Sequence, residues 1–502
     1  MAETINEKTS APEIGSATPS HDGAKEEGVI TTGKRGAPWM YKTFKVGSWT
    51  FPGFATPNVQ VILVSVVCFM CPGMYNAVTG LGAAGQVKTK DVDNATVALY
   101  ATFAGVGFFA GSIANRIGLR LTLSFGGFGY FLYLCSILSY NHNQNVGFLI
   151  FAGAVLGLCA GLLWTAQGAV MMSYPYEKDK GRAIGWFWMI FNMGAVLGSL
   201  IPLGENLHKT AGAVSDGTYI AFIILMAFGF LLAWTLVDPE KVVRSDGSHV
   251  ILMKNPTWKS EILALLETFK TDTYILLLFP MFFASNWFYT YQFNGINAAY
   301  FNTRTRALNG VLYYLMQIVG AWIFGIGLDL KVAGRRTKAR VVLVVLFVLT
   351  MVIWGGGYAF EKTYTRASVS ADDFKTKDFN DSGYIGPMFL YMFYGFFDAA
   401  WQTTVYWLMG AMTNNSRKLA NFTGFYKGIQ SAGAAIVWRL DAMAIPYLDE
   451  YASSWALCAA GLIFAAPVVW YKVRDTIPIE EDLKFSDETI EEVAPIAPEI
   501  KS

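Results

Sequence analysis

Long apolar stretches separated by short polar breaks run along almost the whole chain. Twelve such stretches lie near 58–81, 94–115, 119–139, 146–170, 183–203, 217–237, 273–299, 308–327, 339–360, 384–412, 418–439 and 451–471. Each is about as long as the roughly 20 residues a helix needs to cross a 30 Å hydrocarbon layer. The pattern predicts an all-α polytopic membrane protein with twelve transmembrane helices, here numbered spans 1 to 12. The longest break between spans, 238–272, divides them six and six. The predicted organisation is a disordered tail over 1–45, a six-helix bundle over 46–237, a linker over 238–272, a second bundle over 273–471 and a tail over 472–502. Within the linker, Trp258, Ile262, Leu265, Leu266 and Phe269 fall on one helical face, which predicts an amphipathic helix lying on the membrane surface.

Polar side chains interrupt the apolar stretches unevenly. Spans 3, 6, 9 and 12 hold no Asn, Gln, Asp or Glu. The others almost all do: Asn76, Gln167, Asn192, Asn286, Gln292, Asn294, Asn297, Gln317, Asp398, Gln402, Lys427 and Gln430. Such groups are costly against lipid. A clean helix at every third position therefore predicts two bundles that enclose a polar cavity and keep their third and sixth helices outside.

Asp398 and Lys427 sit near the middle of consecutive spans, where a lone charge costs roughly 2.5–3.5 kcal/mol. Two readings follow: an ion pair that ties spans 10 and 11 together, or a cavity pair that reorganises with a solute or a proton. Trp164 and Gln167 in span 4, Asn192 in span 5, the amides of span 7, and Trp401, Gln402 and Gln430 beside the charged pair complete the candidate cavity set, with Asn76. Trp164 and Gln167 are equally explained by helix packing with one interhelical hydrogen bond.

The breaks after spans 2 and 8 resemble each other. The first reads Gly111-Ser-Ile-Ala-Asn115-Arg116-Ile-Gly118-Leu-Arg120; the second has Gly325, Asp329, Gly334, Arg335 and Arg336. Glycine lets two helices approach closely, and the acid or amide four residues later can accept from the amino-terminal amides of a neighbouring helix. These residues resemble the signature loop of the major facilitator superfamily. The resemblance implies two pseudo-symmetric six-helix halves, a central site and alternating access. Gly111, Asn115, Arg116, Gly118, Arg120, Asp329, Gly334 and Arg336 become the conformational-gate candidates, with Asn115 where the superfamily has Asp. A second run, Gly153 to Gly168 with Trp164-Thr165-Ala-Gln167-Gly168, followed by Gly185-Trp-Phe187-Trp188-Met-Ile-Phe191, is similar to the fungal branch of the Unc-ninety-three-like family. That resemblance implies the facilitator fold. It leaves two roles open: a secondary transporter of a small organic solute, facilitative or proton-coupled, or a protein that regulates or escorts another membrane protein.

Charge changes the picture least. A net charge of +1 gives no basis for binding nucleic acid through bulk basicity. Lys and Arg favour the loops that include both tails, which predicts cytoplasmic termini in the plasma membrane or an endomembrane. The five cysteines lie inside apolar stretches, and the four histidines lie in tails or loops without metal-spaced partners. With no phosphate-binding loop either, the sequence predicts no enzyme, no metal and no cofactor. The expected partners are the bilayer, a small solute, protons for a coupled mechanism, and a membrane-protein partner for the regulatory one.

Overall fold

The computed structural model describes residues 36–80, 89–206, 216–244, 247–248, 250, 258–371 and 373–478. Twelve helical segments of these residues correspond to the predicted spans. In the first half, span 1 is Pro57–Thr79, span 2 Thr89–Ile117, span 3 Leu119–Asn143, span 4 Val146–Ser173, span 5 Lys180–Asn206 and span 6 Asp216–Leu232. In the second, span 7 is broken into Phe279–Ala284, Trp287–Thr290 and Tyr291–Ala298. Span 8 is Thr303–Asp329, span 9 Arg335–Glu361, span 10 Ile385–Met412, span 11 Ser416–Ala442 and span 12 Tyr447–Pro467.

Local chemistry sets these ends. Pro57 opens span 1, where its missing N–H costs nothing. The side chains of Asn145, Asn302 and Asn415 accept from the third backbone N–H beyond them and cap spans 4, 8 and 11. Gly118 separates spans 2 and 3 at φ +88° and ψ 151°, a region essentially closed to residues with a Cβ.

The two halves repeat one packing scheme. Span 2 packs on 4, 3 on 4, 3 on 6 and 1 on 5; correspondingly span 8 packs on 10, 9 on 10, 9 on 12 and 7 on 11. The halves meet where span 2 runs along span 11 and span 5 along span 8. Spans 3, 6, 9 and 12 turn large apolar side chains outward, among them Phe125, Phe228, Val348 and Ile463. These belong against lipid, since no Asn, Gln, Asp or Glu interrupts the apolar stretches that carry them.

The ends of the chain depart from the expectation of plain tails. Phe44–Val46 pairs with Trp49–Phe51 in a small antiparallel hairpin, and Tyr41 donates to the Lys241 carbonyl at 2.7 Å, which ties this segment to the linker. Residues 1–35 of the predicted 1–45 tail lie outside the described residues. Beyond Lys472, Val473 is buried and Asp475 accepts from the Arg336 N–H at 3.0 Å. The linker helix is observed as Trp258–Thr271, with Leu263 and Leu266 exposed and Phe269 stacked on Phe425 at 4.4 Å. Of its predicted apolar face, the side chains of Trp258, Ile262 and Leu265 lie outside the described residues.

The linker ends at a charged clasp. Asp272, 5% exposed, accepts from Lys418 of span 11 at 2.7 Å and from Lys472 after span 12 at 3.1 Å. Burial alone would raise this carboxyl, but the hydrogen bond and charge of Lys418, joined by Lys472, hold it below the ordinary range. A carboxyl lowered by folding adds stability above its unfolded pKa of about 3.9 and loses it as pH falls through the folded value. Asp272→Asn is therefore expected to cost about 2 kcal/mol at pH 7, the scale of a hydrogen bond to a charged group. Thermal melts of the two purified proteins should converge as the pH falls below the ordinary carboxylate range.

Candidate functional site

Two adjoining chambers lie between the halves. An inner chamber and an outer one share part of their lining. Residues of spans 1, 2, 4, 5, 7, 8, 10 and 11 line the inner chamber, and Tyr130 alone reaches it from span 3. Tyr75, Asn76, Tyr100, Tyr289 and Gln317 line both chambers.

Asp398 and Lys427 sit in one polar zone without touching as an ion pair. The Asp398 carboxylate accepts from the hydroxyls of Tyr289 at 2.8 Å and Tyr313 at 3.2 Å, from the Gln317 amide, and from the Gln402 amide at 3.4 Å. Lys427 donates to Gln430 at 2.8 Å, and its ammonium lies 4.5 Å from the ring centres of Trp164 and Tyr426 and 5.3 Å from that of Tyr406. Two carboxamides join the charges: Gln402 donates to Asp398, and Gln430 donates to Gln402 at 3.4 Å. The direct pair expected from the sequence is thus replaced by separate partners with a carboxamide bridge. Tyr289, Gln317 and Gln402 satisfy the acid, Tyr313 shares its single hydroxyl hydrogen between Asp398 and Gln292, and three aromatic faces hold the ammonium.

The other candidates divide. Asn76, Trp164, Gln402, Lys427 and Gln430 line the inner chamber. Trp164 donates to the Tyr130 hydroxyl at 3.0 Å. Gln167 instead accepts from Tyr406 at 3.2 Å, a contact between the halves. Trp401 donates to the Ser285 hydroxyl at 2.8 Å. Asn192 is fully buried, and neither carboxamide atom has a hydrogen-bond partner among the described residues.

Span 7 directs its amides away from the inner chamber. Gln292 accepts from Tyr313 at 2.8 Å. Asn294 donates to Asp441 at 2.6 Å, where Arg366 of the loop after span 9 also binds Asp441 and Glu450. Asn297 accepts from Asn309 at 3.0 Å and donates to the Arg306 carbonyl at 3.2 Å. Asn286, at the break in span 7, lines the inner chamber and accepts from Gln430 at 2.8 Å. Sequence reading missed four tyrosines: Tyr313 reaches the acid, and Tyr75, Tyr100 and Tyr130 form walls. Their only signal was abundance, because tyrosine at membrane interfaces is equally common.

One end of the cavity is sealed, the end that carries the breaks after spans 2 and 8. There Asp329 of span 8 accepts from the Gly181 N–H at 2.9 Å and from the Arg182 N–H, both at the start of span 5. The carboxylate thus meets the positive end of a helix in the opposite half. Gly181 and Gly185 allow this approach: a Cβ on Gly185 would lie 3.0 Å from the Ala321 carbonyl oxygen. Arg120 pairs with Asp238 at 2.9 Å after span 6, as Asp475 after span 12 binds the Arg336 N–H. Gly334 leaves room for that second contact, since a Cβ there would strike the Asp475 carboxylate. Asn115 and Arg116 occupy the matching turn of span 2, Asn115 half-buried and Arg116 exposed. Lys180 crosses the same end to the Gly410 carbonyl at 2.8 Å. At the opposite end, the Tyr314 hydroxyl donates to the Asn76 carbonyl at 3.0 Å across the halves.

Replacing Asp329 by alanine removes the acceptor for two helix-start amides, a loss of about 1 kcal/mol. The expected outcome is easier opening of the sealed end with little loss of protein. Faster labelling of a single cysteine introduced at Ala321 by a water-soluble maleimide would report it.

Residues 61–371 match the Major Facilitator Superfamily. An UNC93-like protein of Schizosaccharomyces pombe is 51% identical over 444 residues, covering 88% of each chain. UNC93-like protein 1 of Arabidopsis thaliana is 40% identical over 454 residues, covering 90% of this chain and 97% of its own. Among solved structures, the Escherichia coli fucose:proton symporter superposes with a TM-score of 0.57 at 12% identity, covering 82% of this chain and 98% of that one.

Proposed function

This chain belongs to the Major Facilitator Superfamily, among its UNC93-like proteins, and from that premise we propose that it carries a small organic solute across a membrane by alternating access. The observation that supports this reading most strongly is the cavity. Its lining comes from both halves, polar groups converge on it, and hydrogen bonds between the halves close the end that carries the breaks after spans 2 and 8. A protein that only escorts a partner has no need of such a chamber at the centre of its fold.

The sealed end carries Arg116, Arg120, Arg182, Lys331, Arg335 and Arg336, a concentration of positive charge that favours a cytoplasmic position for it and for both termini. On that orientation the described state is closed toward the cytoplasm. Rocking of the halves about the seams of spans 2 with 11 and 5 with 8 would then expose the same chamber inward. Asp398, held by hydroxyl and amide donors and bridged to Lys427, is the group in this zone able to accept a proton in a coupled cycle.

Untargeted metabolite uptake and efflux, compared between cells that lack the protein and cells that regain it, tests the proposal. A solute whose flux follows the wild-type gene, and not a gene carrying Asp398→Asn, is the expected result. Unchanged flux of every solute, together with loss of another membrane protein from its site, would favour the escort role instead.

A further inference from the structure

The two halves give the inner chamber opposite walls. From spans 2, 4 and 5 of the first half come Leu99, Phe103, Leu156, Ala160, Trp188 and Phe191, beside the polar groups of Tyr75, Asn76, Tyr100 and Tyr130. From the second come Asn286, Gln317, Gln402, Gln430 and Lys427. Along spans 2, 4 and 5 a neutral polyol would set hydroxyls against Leu99, Phe103, Leu156, Ala160 and Phe191 without partners, which is costly. A plain hydrocarbon would leave the Lys427 ammonium with Gln430 as its one oxygen acceptor among the described residues. The chamber fits an amphipathic solute with one apolar side and one polar end.

Charge narrows the choice further. Lys427 is the one lysine, arginine, aspartate or glutamate among the residues lining the inner chamber. An ammonium has three donors, and this one has a single oxygen acceptor, Gln430, with aromatic faces for the rest. A charge-assisted hydrogen bond to an acid oxygen is stronger than a contact with a ring face, so Lys427 can bind an anion without losing Gln430. Asp398, the nearest acid, does not line the chamber and is already occupied by Tyr289, Tyr313, Gln317 and Gln402. A cationic solute would meet Lys427 and find no free carboxylate. Asp93 lines the outer chamber only. It lies two helical turns, about 10 Å, along span 2 from Tyr100.

Resting on the transport reading above, we propose that the solute is a small amphipathic organic anion, its acid group on the Lys427 ammonium and its apolar body against spans 2, 4 and 5.

The test uses full-length protein in detergent and two sets of solutes matched in shape but not in charge: benzoate, benzamide and benzylamine, then hexanoate, hexanamide and hexylamine. Binding is read from thermal-shift titrations. The expected result is that each anion binds roughly tenfold or more tightly than its amide, with the amine weakest. Lys427→Gln should reduce that preference to about twofold or less, and Lys427→Arg should retain most of it. Equal or tighter binding of the amide or amine in both sets overturns the proposal, as does an anion preference that survives in Lys427→Gln, or no binding by either anion. The wild-type titrations decide the charge class alone, so a Lys427→Gln protein that fails to fold leaves the test intact. Counterflow of the same compounds in proteoliposomes separates the two readings. Anion binding without counterflow would sink transport and keep the anion site, whereas counterflow of the amides with no anion preference would sink the anion site and keep transport.

Discussion

Replacing Asp398 by alanine is expected to remove most of the folded protein from the membrane and to leave the remainder without flux. The hydroxyls of Tyr289 and Tyr313 and the amide of Gln317 converge on this carboxylate in a fully buried setting. Without it they point at one another or at a void, and a buried donor without an acceptor costs about 1–3 kcal/mol. Lys427 also loses the opposite charge at the far end of the Gln402–Gln430 bridge. Together these put the loss at about 3–5 kcal/mol, the scale for removing one member of a buried charged network. Asp398→Asn keeps one acceptor oxygen but adds donors where donors already point, so its loss is smaller. The double substitution Asp398→Asn with Lys427→Met is the more informative variant. Two charges in direct contact would let it recover nearly all the lost protein. Separate partners predict recovery of only about 1 kcal/mol, the coupling expected through a shared hydrogen-bond network. Fluorescence size-exclusion profiles and melts of the four proteins measure it, and full recovery by the double variant would refute the bridged arrangement.

A second large effect is expected at the seam of spans 2 and 11. A Cβ on Gly107 would lie 2.5 Å from the Gly428 Cα and 2.6 Å from its nitrogen; one on Gly111 would lie 2.8 Å from the Ala420 carbonyl oxygen. Those neighbours are backbone and cannot turn aside, so the two helices themselves must separate. Overpacking of this kind costs about 1–3 kcal/mol, and a branched side chain lies at the upper end. Alternating-access states differ by only a few kcal/mol, so Gly107→Val should shift the population toward the form open at the sealed end. The variant is expected to accumulate nearly normally yet to lose transport about tenfold or more. Phe108 and Phe425 face each other across this seam with ring centres 6.2 Å apart. Cysteines placed at those two positions, in a chain lacking its native ones, should cross-link in the parent and fail to do so beside Gly107→Val. Efficient cross-linking in both would rule out the opening.

Relief of the Asp329 contact should act in the same direction at the seam of spans 5 and 8, more weakly, because it removes an attraction where Gly107→Val inserts an obstacle. The two seams are related by the internal repeat, so combining the changes should open the sealed end further than either alone.

The sequence by itself determined what depends on local pattern. Hydrophobic length marked the twelve spans to within a few residues, the charged linker divided them, and the absence of amides from spans 3, 6, 9 and 12 marked the helices now seen with Phe228 and Val348 facing outward. The repeated Gly, acid, Gly-x-Arg turn marked Asp329 as a receiver of helix-start amides, which is where it sits. What only the tertiary structure decided is which side chains meet. Asp398 and Lys427 are at matching depths, but depth does not fix direction around a helix axis, and Gln402 and Gln430 stand between them. In span 7 the sequence grouped Gln292, Asn294 and Asn297 with the cavity, whereas the helix breaks at Asn286 and continues as a π-helix over Tyr291–Ala298. A π turn takes in an extra residue, so the face read from regular helical spacing rotates away beyond the break. Asn286 is left on the chamber, and the later amides turn to Tyr313, Asp441 and Arg306.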